Sequence, residues 1–136
     1  MVVPDVNVED IMSKDLVMVE PDTTVAEALK IMLEKGIRSV VVKPTDERDV
    51  YSVVTIRDIV YRVIARNLDP REVTVWKIAT RPAITIQKGT RLSIAIEFMR
   101  KFNLARVIVA DGSKPVGMLA LMDIIRAVKE KIEKEE

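Results

Sequence analysis

The sequence predicts an α/β (α+β) fold of two tandem β-α-β-β-α repeats, packed sheet to sheet with pseudo-two-fold symmetry. Three observations carry that expectation: a residue pattern that recurs 67 positions later, an apolar stripe at helical spacing in each copy, and a β-branched run after each stripe. Ile11-Met12-Ser13-Lys14 and Leu16-Val17-Met18-Val19 return as Ile78-Ala79-Thr80-Arg81 and Ala83-Ile84-Thr85-Ile86. In the same register Ala28-Leu29 meets Ala95-Ile96, Met32 meets Met99, and Val40-Val41-Val42 meets Val107-Ile108-Val109. After a loop two residues longer in the first copy, Asp58-Ile59 meets Asp123-Ile124. A hydrophobic pattern held in phase over this length marks an internal duplication.

Each element has a local reason. Residues 1–7 form an arm, 8–67 the first repeat, 68–74 a linker, 75–131 the second repeat and 132–136 a charged tail. Short strands at 17–19 and 84–86 precede the first helix of each copy. Val25, Ala28, Leu29 and Met32 sit at i, i+3, i+4 and i+7, which draws one apolar face; Leu92, Ala95, Ile96 and Met99 repeat it. Thr24 and Glu27 have capping-box spacing, and Gly36 is a left-handed terminator whose place Asn103 takes in the second copy. The apolar runs 37–42 and 104–110 suit strands buried on both faces. Polar loops follow at 43–49 and 111–115, then strands at 50–55 and 116–120, then helices from 56 to about 67 and from 121 to about 131. Pro70 closes the first repeat. The alternating Lys and Glu of 129–136 predict a solvated, fraying end.

Composition removes many functions. Lys plus Arg number 22 and Asp plus Glu 21, so a net charge of +1 gives no overall grip on nucleic acid or anionic lipid. Cys and His are absent, which excludes a disulfide, a thiolate nucleophile, a Cys/His metal site and a Ser-His-Asp triad. No Gly-rich phosphate loop occurs. The expectation is a non-enzyme with no catalytic residue and no metal. No signal peptide or membrane span is legible, so a cytoplasmic protein is expected. One Gln and three Asn beside many charges fit a thermophile's chain.

The most informative motif is Thr55-Ile56-Arg57-Asp58. It has the spacing of a capping box, with Thr55 as N-cap and Asp58 at the third helical position. The same geometry suits a ligand: free backbone N–H groups face a phosphate, Arg57 adds a charge-assisted partner, and a carboxylate accepts from ribose hydroxyls. The readings are compatible, since a ligand can borrow a cap. Arg106 interrupts an otherwise apolar strand and needs solvent, a carboxylate partner at a sheet edge, or an anion. Trp76, just after the linker, is expected to pack against a helix or a partner subunit.

An Ile-Met-Ser-like opening turn, a Pro21-Asp22-Thr23-Thr24-Val25 helix entry, an apolar strand after Gly36 and a strand leading into Thr-x-x-Asp, met twice in order, resemble the CBS-domain pair, or Bateman module. That resemblance covers nearly the whole chain. It implies pockets shared between the repeats. The first would comprise Val53, Thr55, Arg57, Asp58, Ala83, Ile84, Leu104, Arg106 and Ile108, with Ala83, Ile84 and Ile108 around a purine. The second, weaker pocket would comprise Leu16, Val17, Ile37, Ser39, Val41, Met118, Ala120, Met122 and Asp123. There Ala120, Met122 and Ser39 stand in place of Thr55, Arg57 and Arg106, so the phosphate ligands are missing. Ser52 occupies the family's usual Gly, a small departure unless positive φ is required; the second copy keeps Gly117.

The resemblance implies a regulatory module that senses an adenine nucleotide, AMP ahead of ADP and ATP, as a ligand rather than a resident cofactor. An unidentified effector protein would supply the output. The alternatives are an S-adenosylmethionine or other adenosyl-ligand sensor, and a structural or nucleic-acid-binding module with vestigial pockets. Nucleic acid is disfavoured by near-neutral charge and few aromatics. Ile31, Leu33, Ile59, Ile94 and Phe98 extend the apolar faces beyond the inner stripes, which predicts a homodimer joined through helices.

Overall fold

In the computed structural model, which describes residues 2–135, the apolar stripes become helices and the β-branched runs become strands. The chain divides into two units, each with its own three-stranded sheet. One is the continuous stretch Val17–Ala83; the other joins the residues up to Leu16 with those from Ile84 onward.

In the continuous unit, β1 (Met18–Val19) lies parallel to β2 (Ser39–Val42), and β3 (Ser52–Thr55) runs antiparallel on the other side of β2. The parallel pair requires a crossover, and α1 (Val25–Lys35) provides it. Thr24 Oγ1 accepts from the Glu27 backbone N–H at 3.1 Å, the N-cap half of the box that the spacing suggests. At the far end Gly36 has φ 64°, and the Ile37 N–H returns to the Met32 carbonyl at 3.0 Å. Such a closure satisfies the last helical carbonyls and needs a residue that tolerates the left-handed region. It also consumes Ile37 and Arg38, so β2 begins at Ser39 rather than at 37.

Val25, Ala28 and Met32 pack from α1 onto Val40, Val42 and Val54 of the sheet. Each fully buried aliphatic side chain of this kind contributes roughly 1.5–3 kcal/mol. The second helix differs from expectation. α2 (Ile56–Ile59) gives way to a π-helical turn, Val60–Ile64, closed by the Ala65 N–H on the Val60 carbonyl at 2.8 Å. Ile56, Ile59, Val60, Val63 and Ile64 are all β-branched and lose side-chain freedom in a regular helix, so the local preference for α geometry is weak. The short helix α3 (Val75–Ile78) completes the unit and sends Val75 and Ile78 into its core.

The other unit repeats the topology with β4 (Thr85–Gln87), β5 (Arg106–Asp111) and β6 (Lys114–Ala120), crossed by α4 (Leu92–Lys101) and followed by α5 (Leu121–Glu135). Asn103, at φ 53°, ends α4 as Gly36 ends α1, with the Leu104 N–H on the Met99 carbonyl at 2.9 Å. β5 correspondingly starts at Arg106. The expected arm is fastened: the Leu92 N–H donates to the Val6 carbonyl at 2.9 Å, and Asp5 pairs with Arg91. Past Lys129, where fraying was expected, α5 stays helical to Glu135, helped by an i,i+4 pair of Lys129 with Glu133 at 2.6 Å.

The opening segments are exchanged between the repeats. Ser13, from the head of the first repeat, forms a two-bond bridge with Met118 of β6, each N–H donating to the other's carbonyl at 2.9 Å. Thr80, from the head of the second, forms the matching bridge with Val53 of β3 at 2.9 and 3.1 Å. Val8, in the 3₁₀ turn Val8–Asp10, is wholly buried in the core with Leu92, Val107 and Leu119. This close approach explains the glycine. A Cβ on Gly117 would lie 2.6 Å from Met12 Sδ and 2.7 Å from the Ser13 carbonyl oxygen, so space and not a positive φ requires it. The equivalent opening segment carries the smaller Ala79 in place of Met12, and there Ser52 is accommodated, 2% exposed.

The outer helix faces divide. Ile59 is a core residue at 2% exposure, a correction to its expected outward position, and Ile31 and Phe98 pack partly against the cores. Leu33 and Ile94 are exposed at 71% and 60%. Trp76, 39% exposed, has the Arg81 guanidinium 4.1 Å from its ring centre, and its indole N–H points to Asp49 Oδ2 at 3.4 Å.

Candidate functional site

The strand-to-helix junction at Thr55 is built from three short bonds. Thr55 Oγ1 accepts from the Asp58 N–H at 3.1 Å; Asp58 Oδ2 accepts from the Thr55 N–H at 2.9 Å and from the Thr55 hydroxyl at 3.0 Å. The capping box predicted from sequence is therefore complete, and it fixes the carboxylate. Oδ2 is committed to the cap. Oδ1 faces the Arg62 Nε at 3.8 Å, an ion-pair distance too long for a hydrogen bond. The Asp58 side chain keeps 14% of its surface. Arg57 is exposed, with its guanidinium 5.3 Å from the Tyr61 ring centre.

Arg62 was not among the expected site residues. Its signal was available, because it stands four residues after Asp58 on the same helical face. What the spacing could not give is its anchor: Nη1 donates to the Ile78 carbonyl at 2.8 Å, from a segment distant in sequence.

The junction at Ala120 is a reduced version. Asp123 Oδ2 accepts from the Ala120 N–H at 2.8 Å, but Ala120 has no hydroxyl to answer. Asp123 Oδ1 faces Arg126 Nη1 at 3.7 Å, and its side chain is also 14% exposed. Met122, in the place of Arg57, is exposed at 56%.

The expected pocket residues are distributed over both units. Val53, Thr55, Arg57, Asp58 and Ala83 lie in the continuous unit, as do Val17, Ile37, Ser39 and Val41; Ala83 is tied by its N–H to the Tyr51 carbonyl at 2.9 Å. Strand register sets Ser39 beside Thr55 and Val41 beside Val53. Leu16, Ile84, Leu104, Arg106, Ile108, Met118, Ala120, Met122 and Asp123 lie in the other unit, where Arg106 pairs in register with Ala120 and Ile108 with Met118. Arg106 opens the central strand of its sheet and is half-buried. Among the described residues no carboxylate lies within ion-pair distance of it, so the edge-strand pairing is not its arrangement.

An open groove of about 440 Å³ lies elsewhere, between Ala26, Leu29 and Leu33 of α1 and the linker residues Asp69, Pro70 and Arg71; it holds none of the expected site residues. Among the described residues no three carboxylates gather to hold a metal ion, and no helix is long and apolar enough to cross a membrane.

Comparison with known proteins places the arrangement. The chain is 31% identical over 130 residues to protein MJ1232 of Methanocaldococcus jannaschii, a match covering 95% of this chain and 42% of that protein. The next two curated relatives are covered to 62% and 64% of their length, so the chain spans less than two thirds of each of these proteins. Among solved structures, a hexameric CBS-CP12 protein from bloom-forming cyanobacteria superposes with TM-score 0.79 at 29% identity, over 96% of this chain and 75% of that one. CBSX2, solved in complex with AMP, shares the fold at TM-score 0.76 and 22% identity, over 93% of this chain and 98% of that one. The CBS domain model matches twice, at residues 8–65 and 75–130, in step with the duplication and the two junctions. The chain belongs to the CBS-domain family and carries two of its domains in tandem.

Proposed function

We propose that the chain is a non-catalytic regulatory module that binds an adenine nucleotide, AMP ahead of ADP and ATP, at the Thr55–Asp58 junction. The observation that carries the reading is the Asp58 carboxylate: one oxygen is fixed by the cap, and the other is left for ribose hydroxyls. Arg57 stands exposed one residue away as a phosphate partner. Ile84, Leu104, Arg106 and Ile108 are assigned by the family resemblance alone. Arg106, with no carboxylate at ion-pair distance among the described residues, agrees with a role for an anion. The AMP complex of CBSX2 adds that this fold accommodates such a ligand. Self-association accords with the hexameric CBS-CP12 neighbour and with exposed Leu33 and Ile94. A separate effector protein would receive the signal.

A second reading applies to the Ala120–Asp123 junction. The missing hydroxyl and the apolar Met122 favour an adenosyl ligand without phosphate, such as S-adenosylmethionine. Calorimetry of the purified chain against AMP, ADP, ATP, S-adenosylmethionine and a short RNA tests both. Saturable AMP binding near one site per chain is expected. Binding of RNA with no response to any nucleotide would overturn the proposal.

A further inference from the structure

Asp58 Oδ1 and Arg62 Nε face each other at 3.8 Å without a hydrogen bond, yet neither side chain is loose. The carboxylate is fixed through Oδ2 by both Thr55 donors, and the guanidinium is fixed through Nη1 by the Ile78 carbonyl. An acceptor and a donor are thus held apart by their other bonds. A hydroxyl is the group that satisfies both at once, because it donates one proton and accepts through its lone pairs. We infer that Arg62 is a specificity-determining residue of the nucleotide site, donating from Nε to a ribose hydroxyl whose proton goes to Asp58 Oδ1. This rests on the reading of the Thr55–Asp58 junction as a nucleotide site.

Two features separate this arrangement from an ordinary helix ion pair. The π-helical turn Val60–Ile64 contains Arg62 itself, and such turns recur where a helix re-aims a side chain for function. The second junction sets an arginine at the same carboxylate oxygen with different spacing, three residues on instead of four. There Arg126 is 68% exposed and, among the described residues, no backbone carbonyl holds it. Of the two junctions, the one at Thr55 has both its carboxylate and its arginine anchored by other bonds among the described residues.

The test is calorimetric binding of AMP, 2′-deoxy-AMP and 3′-deoxy-AMP to the full chain and to Arg62→Ala, Arg62→Gln and Arg62→Lys, each with its melting temperature. The wild type is expected to prefer AMP over at least one deoxy analogue. Arg62→Ala should weaken AMP about tenfold and that analogue hardly at all, because a charge-assisted bond to the missing hydroxyl has nothing to lose. Arg62→Lys should recover part of the preference, and Arg62→Gln, which is shorter and uncharged but keeps a donor at the level of Nε, supplies the comparison if the alanine variant does not fold. An unchanged preference for AMP, or an equal loss for all three ligands that tracks the melting temperature, would overturn the inference and leave Arg62 a helix ion pair. Failure of the wild type to bind AMP would instead overturn the nucleotide reading itself, and the inference with it.

Discussion

Asp58→Asn separates cap from ligand because an amide cannot serve both. Two Thr55 donors converge on Oδ2, at 2.9 and 3.0 Å, so the single amide oxygen of the variant must stay there. The NH₂ group then occupies the Oδ1 position, facing Arg62 and any ribose hydroxyl. Without ligand the cap survives, and the loss is a half-exposed ion pair at 3.8 Å, worth under ~1 kcal/mol. For a chain of this size that moves the melting temperature by less than about 4 °C. With ligand, a hydroxyl loses an ionised acceptor, roughly 1.5–3 kcal/mol, or about ten- to a hundredfold in affinity. The assay is thermal unfolding with and without AMP beside calorimetric affinity: a nearly unchanged apo transition and a marked loss of AMP-induced stabilisation are expected. A large apo destabilisation with unaltered AMP affinity would refute the argument and make Asp58 a structural cap alone.

Four further outcomes follow. Gly117→Ala should destabilise the chain by about 1–3 kcal/mol through overpacking, and Met12→Ala in the same chain should recover part of the loss, read by denaturant unfolding; no recovery would mean that the Ser13 carbonyl is the barrier. Calorimetry should find one AMP site per chain much tighter than any second, and Ala120→Thr should strengthen the weaker one; two equal sites in the wild type would contradict the comparison of the junctions. Light scattering at micromolar concentration should return a dimer, and a monomer would count against the exposed faces around Leu33 and Ile94. The backbone N–H of Thr45 holds the Asp49 carboxyl below its ordinary 3.8, with the Val50 N–H, the Thr45 hydroxyl and Trp76 acting in the same direction. A depressed pKa gives a contribution present above the unfolded value and lost as pH falls through the folded one, so any Trp76 fluorescence step from this group should have its midpoint below 3.8, and Asp49→Asn should abolish that step.

Local chemistry was legible where a few adjacent residues decide it. Thr24, Gly36 and Asn103 bound their helices as their side chains and backbone tolerance dictate, and Thr55 with Asp58 closes the box its spacing announces. The strands begin late at Ser39 and Arg106 because helix closures consume the residues before them. What could not be read depends on partners far along the chain. The position of the Arg62 side chain involves the Ile78 carbonyl. The requirement for Gly117 comes from the Met12 sulfur and the Ser13 carbonyl, more than a hundred residues away. The exchange of opening segments left no trace in composition or periodicity, since Ser13 and Thr80 carry the same local pattern whichever strand they join.

That exchange sets an order on the emerging polypeptide. The hydrophobic core of the Val17–Ala83 unit is drawn from that stretch alone, so its members are present once residue 83 has been made, with Val75, Ile78 and Ala79 the last to arrive. Residues 8–13, made before that unit, must wait: Val8 needs Leu92 and Leu119, and Ser13 needs Met118. Contacts between such distant positions form late, because the intervening chain must be closed before they reward it. The 8–13 segment is therefore made before the unit it precedes and settles after it. A ribosome-stalled series should protect 17–83 from protease well before residues 8–13, and chains ending before Met118 should leave that first segment open to cleavage.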